Sequence, residues 1–209
     1  MTEDDVEILE KTTAFQGYFR IDRYRFKIRQ FGGGWSPDFT REIFERGHAV
    51  ALVLYDPVRD EVGLIEQFRP GALAAGWHPW LIELPAGIID KDQTPDQVAI
   101  REAKEETGLD IADPILARRY LVTPGGSSET MQIFCARIDS TRLSGVHGLE
   151  EEGEDIRVFP LPAEEAFQWI ESGRISNGMT IIGLDWLAKN RDSLRRRWAA
   201  EPLEHRASV

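Results

Sequence analysis

Between Thr94 and Gly108 the chain spells out one helix with both ends marked, and its surroundings must accommodate that helix. Thr94-Pro95-Asp96-Gln97 supplies a hydroxyl at the N-cap, a proline at the first helical position and a glutamine at N3 for a capping box. Gly108 suits the left-handed position that closes a helix, so the helix is predicted to run to about Glu106. Within it, Glu102 and Glu106 are four residues apart, which puts both carboxylates on one face with Glu105 beside them. Each like-charge pair at this spacing destabilises by about 0.2–0.5 kcal/mol. Hard divalent cations with oxygen ligands relieve that repulsion, and magnesium in particular joins one or two carboxylates to substrate phosphates. No Cys or His stands in the segment, which argues against zinc. Taken alone, the stretch reads first as a solvated helix face compensated by Arg101 and Lys104; the rest of the segment shifts the balance toward the metal reading.

The rest of the chain sets the class. Its 209 residues suffice for one sizeable core or for a domain with a small appendage. A net charge of −11 argues against a partner such as duplex nucleic acid, which is bound by clustered Lys and Arg. It does not exclude a phosphorylated small molecule, provided metal ions neutralise the facing charges. No stretch approaches the roughly 18 apolar residues needed to span a bilayer, so no membrane partner is expected. Met1-Thr2-Glu3-Asp4-Asp5 is acidic where a signal peptide would be basic, and Cys135 stands alone. A reducing cytoplasm is the expected setting.

Residues 17–30 mix Phe19, Ile21, Tyr24 and Phe26 with Arg20, Arg23, Arg25 and Lys27, which predicts an antiparallel strand or hairpin ended by Gly32-Gly33-Gly34. Arg41–Glu45 is a further strand, and the nearly all-apolar His48–Tyr55 is a buried one. Asp56-Pro57 opens a turn. Val62–Phe68, Trp80–Leu84, Ile115–Val122, Met131–Ile138 and Asp155–Pro160 are the remaining strands. Ala163–Ser172 and roughly Met179–Trp198 close the chain as helices. Strands interleaved with a few helices imply a mixed α/β domain.

Gly87, five residues, Gln93, seven residues and then Arg101-Glu102-Ala103-Lys104-Glu105-Glu106-Thr107-Gly108-Leu109 resembles the Nudix box. Gln93 departs from it, standing where the pattern has its first glutamate. In the family that position braces the loop and the motif arginine, so Gln93 would contact Arg101 without its charge. From about Gly17 to Trp198 the chain is similar to the bacterial ADP-ribose pyrophosphatase subfamily. The similarity is carried by Arg41-Glu42-Ile43-Phe44-Glu45-Arg46-Gly47-His48, Asp56-Pro57-Val58-Arg59-Asp60-Glu61-Val62, Glu66-Gln67-Phe68-Arg69, Glu83-Leu84-Pro85-Ala86-Gly87, Pro124-Gly125-Gly126 and Glu154-Asp155-Ile156-Arg157. Pro124 lies sixteen residues past Gly108, a spacing that marks ADP-ribose hydrolases in this superfamily.

This resemblance implies an α/β fold: a Nudix α/β/α sandwich with a mixed sheet (47–209), preceded by a small antiparallel β-sheet domain (1–46) that exchanges between the subunits of a homodimer. It implies hydrolysis of ADP-ribose to AMP and ribose 5-phosphate. Two or three Mg2+ ions, with Mn2+ as a substitute, would be held by the Ala86 carbonyl, Glu102, Glu106 and Glu154. Glu152 would be the general base. Tyr18, Phe19, Arg41, Glu42 and Arg46 would contact adenine and ribose, and Arg69, Ile88, Thr123, Pro124, Gly125 and Glu129 the phosphates and terminal ribose. The chemistry agrees with the residue types, since metal ions can bridge phosphoryl oxygens, Arg69 suits a phosphate oxygen pair, and a carboxylate on a loop can take a proton. Two other readings stay open: a pyrophosphatase for a broader set of nucleoside diphosphate sugars, and a non-catalytic Nudix module that binds ADP-ribose without cleaving it.

Overall fold

The aromatic and basic residues after Gly17 form one strand, and they pair with another that their pattern does not announce. In the computed structural model, which describes residues 1–90, 92–149, 151 and 153–199, β1 (Val6–Gln16), β2 (Arg20–Ile28) and β3 (Phe39–Glu45) form an antiparallel sheet in that order. Residues 17–30 therefore hold a single strand and not a whole hairpin; its partner is β1. That strand escapes a reading by alternation because nearly all its residues are exposed, so neither face is marked apolar. Cross-strand charge pairs bind it instead, among them Lys27 to Glu7 at 3.0 Å and Lys11 to Asp22 at 3.1 Å. This sheet and Tyr120–Thr130 make one of two units into which the chain divides; Ala49–Arg119 and the chain from Met131 on make the other.

The second unit is organised by β4 (Ala49–Asp56), every residue of which is buried. It pairs antiparallel with β5 (Glu61–Phe68) and parallel with a later strand, so the sheet is mixed. After β5 come a five-residue helix, α1 (Pro70–Ala74), then β6 (Trp80–Glu83) on β5 and β7 (Ala86–Ile88) on β4. The long helix α2 (Pro95–Thr107) follows, then β8 (Ile115–Leu121), β9 (Thr130–Arg137), the two-residue β10 (Val146–His147) and β11 (Ile156–Pro162). Strand order is β10-β11-β5-β4-β9-β8, and α3 (Ala163–Glu171) and α4 (Gly178–Ala199) end the described chain.

Side chains of β4 alternate between two covered faces, which is why its sequence is apolar throughout. Val50, Leu52 and Leu54 pack with Val98, Ala99 and Ala103 of α2. Val53 meets α4, where Gly183 sits so close that a Cβ would lie 3.1 Å from Val53 and 2.5 Å from Leu84. Helices on both faces make the expected α/β/α sandwich. The ends of α2 are built as their residues predict: Gln97 Oε1 accepts the Thr94 N–H at 2.9 Å, and Gly108 closes the helix at φ 71°.

The Asp56-Pro57 turn is tied to the sheet through the Asp56 carboxylate. One oxygen accepts the N–H groups of Val58 and Arg59 at 2.8 and 3.0 Å, and the other accepts the Ser140 N–H and hydroxyl at 3.0 and 2.8 Å. Burial alone would raise this carboxyl, but the donors from Ser140, Arg59 and Val58 outweigh it and hold the group below its ordinary value. A depressed folded value means the ionised form stabilises the fold above the ordinary carboxylate range, and the benefit fades as pH falls through the depressed value. Asp56→Asn should therefore cost about 1.5–3 kcal/mol near neutral pH, the scale of hydrogen bonds to a charged group. In urea unfolding at about pH 7 and about pH 3 the deficit should shrink at the acid end; a deficit of equal size at both would contradict this account.

Candidate active site

Strand β7 and helix α2 meet at Gly87. A Cβ on that residue would lie 1.8 Å from Glu102 Oε1 and 2.0 Å from its carboxyl carbon, so only glycine leaves room for the acid. One residue earlier, the Ala86 N–H donates to Glu106 Oε2 at 2.8 Å. The pairing of β7 with β4 (Val50 opposite Gly87, Ala51 opposite Ala86) holds this backbone still. Arg101 braces the same helix from outside. Its guanidinium bonds Glu105 at 2.7 Å, Glu102 at 3.0 Å and, through Nε, the side-chain oxygen of Gln93 at 3.3 Å. Gln93 thus makes the loop-bracing contact predicted for its position, by its amide oxygen.

Glu106 is 3% exposed. Burial pushes its carboxyl well above the ordinary range; Glu102 and Glu154 push it further, against the Ala86 N–H and the positive charge of Arg69. Glu154 is half-buried, with Oε2 accepting the Leu149 N–H at 3.0 Å. A buried Glu106 with the charges of Glu102 and Glu154 acting on it offers oxygen donors of the kind a hard divalent cation takes. Among the described residues no three His, Cys, Asp or Glu side chains are gathered into a ready-made cage. Glu152 lies outside the described residues.

Arg69 follows β5 directly. Its backbone N–H donates to Pro79 O at 2.7 Å and its Nε to Glu83 Oε2 at 2.8 Å. Glu83 is fully buried at the end of β6 and takes two further donors, Gln67 Nε2 at 3.3 Å and Asn177 Nδ2 at 2.5 Å. Sequence reasoning quoted Glu83 only as part of a resembling segment and passed over Asn177. An acid inside the apolar run Trp80–Leu84 was the available signal, since a buried charge requires partners. Ile88 is partly buried, opposite Ala49 in the β4–β7 pairing.

The other predicted contact residues belong to the first unit. Tyr18 is 88% exposed, while its neighbour Phe19 packs edge-on against Phe44 at 5.1 Å. Arg46 pairs with the buried Glu129 and lies over the Phe19 ring at 5.9 Å. Glu42 is exposed and pairs with Arg23 at 2.8 Å; Arg41 bonds the Thr40 carbonyl at 2.8 Å. Thr123, Pro124 and Gly125 form an exposed turn, in which the Thr123 carbonyl accepts from Gly126 and Ser127 at 3.2 and 3.0 Å.

With this geometry in view, the likeness to known proteins is extensive. The NUDIX domain matches residues 45–175. The ADP-ribose pyrophosphatase of Escherichia coli K12 is 46% identical over 199 residues, covering 94% of both chains. That of Haemophilus influenzae is 40% identical over 203 residues, covering 94% of this chain and 92% of its own. Among solved structures, one described as an ADP compounds hydrolase superposes with a TM-score of 0.70 at 20% identity, over 91% of this chain and 96% of that one. The last likeness speaks for the fold.

Gly87→Ala tests the packing of Glu102. The clash is with the far end of a flexible side chain, so the fold should survive while the carboxylate is displaced. Calorimetric Mn2+ binding should weaken by about tenfold or more, the scale on which disturbed ligand support costs metal affinity. Unchanged Mn2+ affinity would show that the position of Glu102 is irrelevant to the metal.

Proposed function

Because the chain belongs to the NUDIX family, we propose that it hydrolyses the diphosphate bond of ADP-ribose, water adding at one phosphorus to give AMP and ribose 5-phosphate. The observation that carries this reading is the carboxylate cluster on α2: Glu102 laid over Gly87 and Glu106 buried against Ala86, with the charge of Arg69 acting on it. The names of the full-length relatives support the choice of substrate.

In this reading Glu102, Glu106, Glu154 and the Ala86 carbonyl hold two or three Mg2+ ions, with Mn2+ able to substitute. Bound there, the ions supply charge neutralisation for both phosphates and make water a stronger acid. Arg69 grips a phosphate oxygen pair. Glu152 accepts the proton of the attacking water. Ile88, Thr123, Pro124, Gly125 and Glu129 contact the phosphates and terminal ribose. Arg41, Glu42 and Arg46 contact the adenosine, with Tyr18 and Phe19 against the base; the exposure of Tyr18 suits it to stacking.

Residues 1–46 are further read as a dimerisation domain exchanged between two subunits. Val6, Ile8, Phe15, Tyr18 and Ile28, all in one small sheet region and all exposed, support this; a monomer in sedimentation at micromolar concentration would refute it. No helix of the described residues is long and apolar enough to cross a membrane, and the cytoplasm is the proposed setting.

The test is a panel of ADP-ribose, ADP-glucose, a dinucleoside polyphosphate and NADH with Mg2+ and with a chelator, products identified. ADP-ribose should give the highest kcat/KM, and the chelator should abolish turnover. Glu106→Gln should lower turnover by about 100-fold or more, at or beyond the 10–100-fold typical of a lost outer-shell partner. Preference for ADP-glucose would widen the substrate class. ADP-ribose bound but uncut by the natural protein would make the chain a binding module, and near-normal turnover by Glu106→Gln would overturn the metal assignment.

A further inference from the structure

Arg69 is held from behind by a buried relay that begins at a helix N-terminus. Among the described residues its side chain hydrogen-bonds through Nε, and it is 36% exposed, so its terminal nitrogens are open to an incoming oxyanion. Nε is anchored on Oε2 of Glu83, which also takes Gln67 Nε2. The other oxygen of Glu83 accepts Asn177 Nδ2 at 2.5 Å. Asn177 is in turn fixed by its own oxygen, which accepts the N–H groups of Met179 and Thr180 at 3.0 and 3.3 Å and so caps α4. Thr180 completes the attachment, its hydroxyl accepting the Leu84 N–H at 3.1 Å, one residue past Glu83.

A fully buried carboxylate keeps its orientation only while both oxygens are satisfied. With Asn177 in place, one oxygen of Glu83 is tied to α4 and the other is left to orient Arg69. Remove the amide, and a buried Oε1 loses its donor; the carboxylate then gains by turning toward Gln67 or Arg69, and the guanidinium turns with it. An arginine fork reads a diphosphate through direction as much as charge, and a displacement of about 1 Å in a positioning group can cost about 100-fold in rate.

We propose that Glu83 and Asn177 are positioning residues for substrate, a relay from the α4 N-terminus that aims the Arg69 guanidinium at a phosphate of the nucleoside diphosphate. The relay rests on the reading of Arg69 as a phosphate contact. The side chain of Asn177 bonds Glu83 and the first turn of α4, and its effect on Arg69 passes through Glu83.

The experiment compares Asn177→Ser, Asn177→Asp, Arg69→Ala and the Arg69→Ala/Asn177→Ser double variant in the full chain. Ser and Asp are N-cap residues as good as Asn, so the α4 cap is kept and both variants should fold, with a melting temperature lowered only by the lost donor to Glu83. For ADP-ribose, kcat/KM should fall by about tenfold in Asn177→Ser and further in Asn177→Asp, which faces Glu83 with a second acid; Mn2+ affinity should not change. The double variant should be no worse than Arg69→Ala alone, because the relay has nothing left to aim. Equal losses multiplied in the double variant, or full activity in both Asn177 variants beside a crippled Arg69→Ala, would overturn the relay and leave the phosphate contact standing. Full activity in Arg69→Ala would overturn the phosphate contact itself, and the relay with it.

Discussion

The carboxylate of Glu102 occupies the space where residue 87 would carry its first side-chain carbon. The rest of the site depends on that close approach. A strand and a helix are brought together until backbone and acid touch, and this requires glycine on the strand and a helix that cannot drift. The strand side is held by the β4–β7 pairing, and the helix side by Val98, Ala99 and Ala103, all fully buried beneath β4 and its neighbours. Burying a valine contributes about 1.5–3 kcal/mol. Apolar contacts of that size on one face of α2 offset the repulsion among the acids on the other. The arrangement concentrates acidic side chains on one face of α2, a local cost offset by the apolar contacts on the other.

Helix α4 does a second task on the opposite face of the sheet. Its close approach through Gly183 sets its distance from Leu84 and Val53, and its N-terminus hands Asn177 to Glu83. The segment Glu83–Gly87 therefore carries support from both layers: Glu83 and Leu84 from α4, Ala86 and Gly87 from α2. This gives a five-residue stretch two chemical outputs, an aimed arginine and a seated pair of carboxylates. Backbone groups anchor it at both ends, the Ala86 N–H on Glu106 and the Met179 and Thr180 N–H groups on Asn177.

Much of this was legible in the chain because the signals are local. Thr94, Pro95, Gln97 and Gly108 mark the ends of α2 by their own side-chain and backbone preferences, and β4 shows its double burial as an unbroken apolar run. The expected strands at Trp80–Leu84, Ile115–Val122 and Met131–Ile138 lie within a residue or so of β6, β8 and β9. What escaped lacks such marks. Strand β1 is an exposed edge held by charge pairs, β7 is three residues long and exists through its partner, and α1 spans a single turn. The relay through Glu83 and Asn177 joins residues 94 apart in sequence, and no spacing announces it. Gln93 was legible as a departure from a pattern, and its retained contact with Arg101 required the loop geometry.

The central claim is that Glu102 and Glu106, seated on Ala86 and Gly87, hold a divalent cation against a diphosphate. Anomalous scattering from crystals grown with Mn2+ and a non-hydrolysable ADP-ribose analogue tests it most directly. The account predicts a manganese peak bonded by Glu102, Glu106 and the Ala86 carbonyl, with phosphate oxygens completing its shell. Manganese bound elsewhere, or a bound analogue with no metal at these carboxylates, would contradict it.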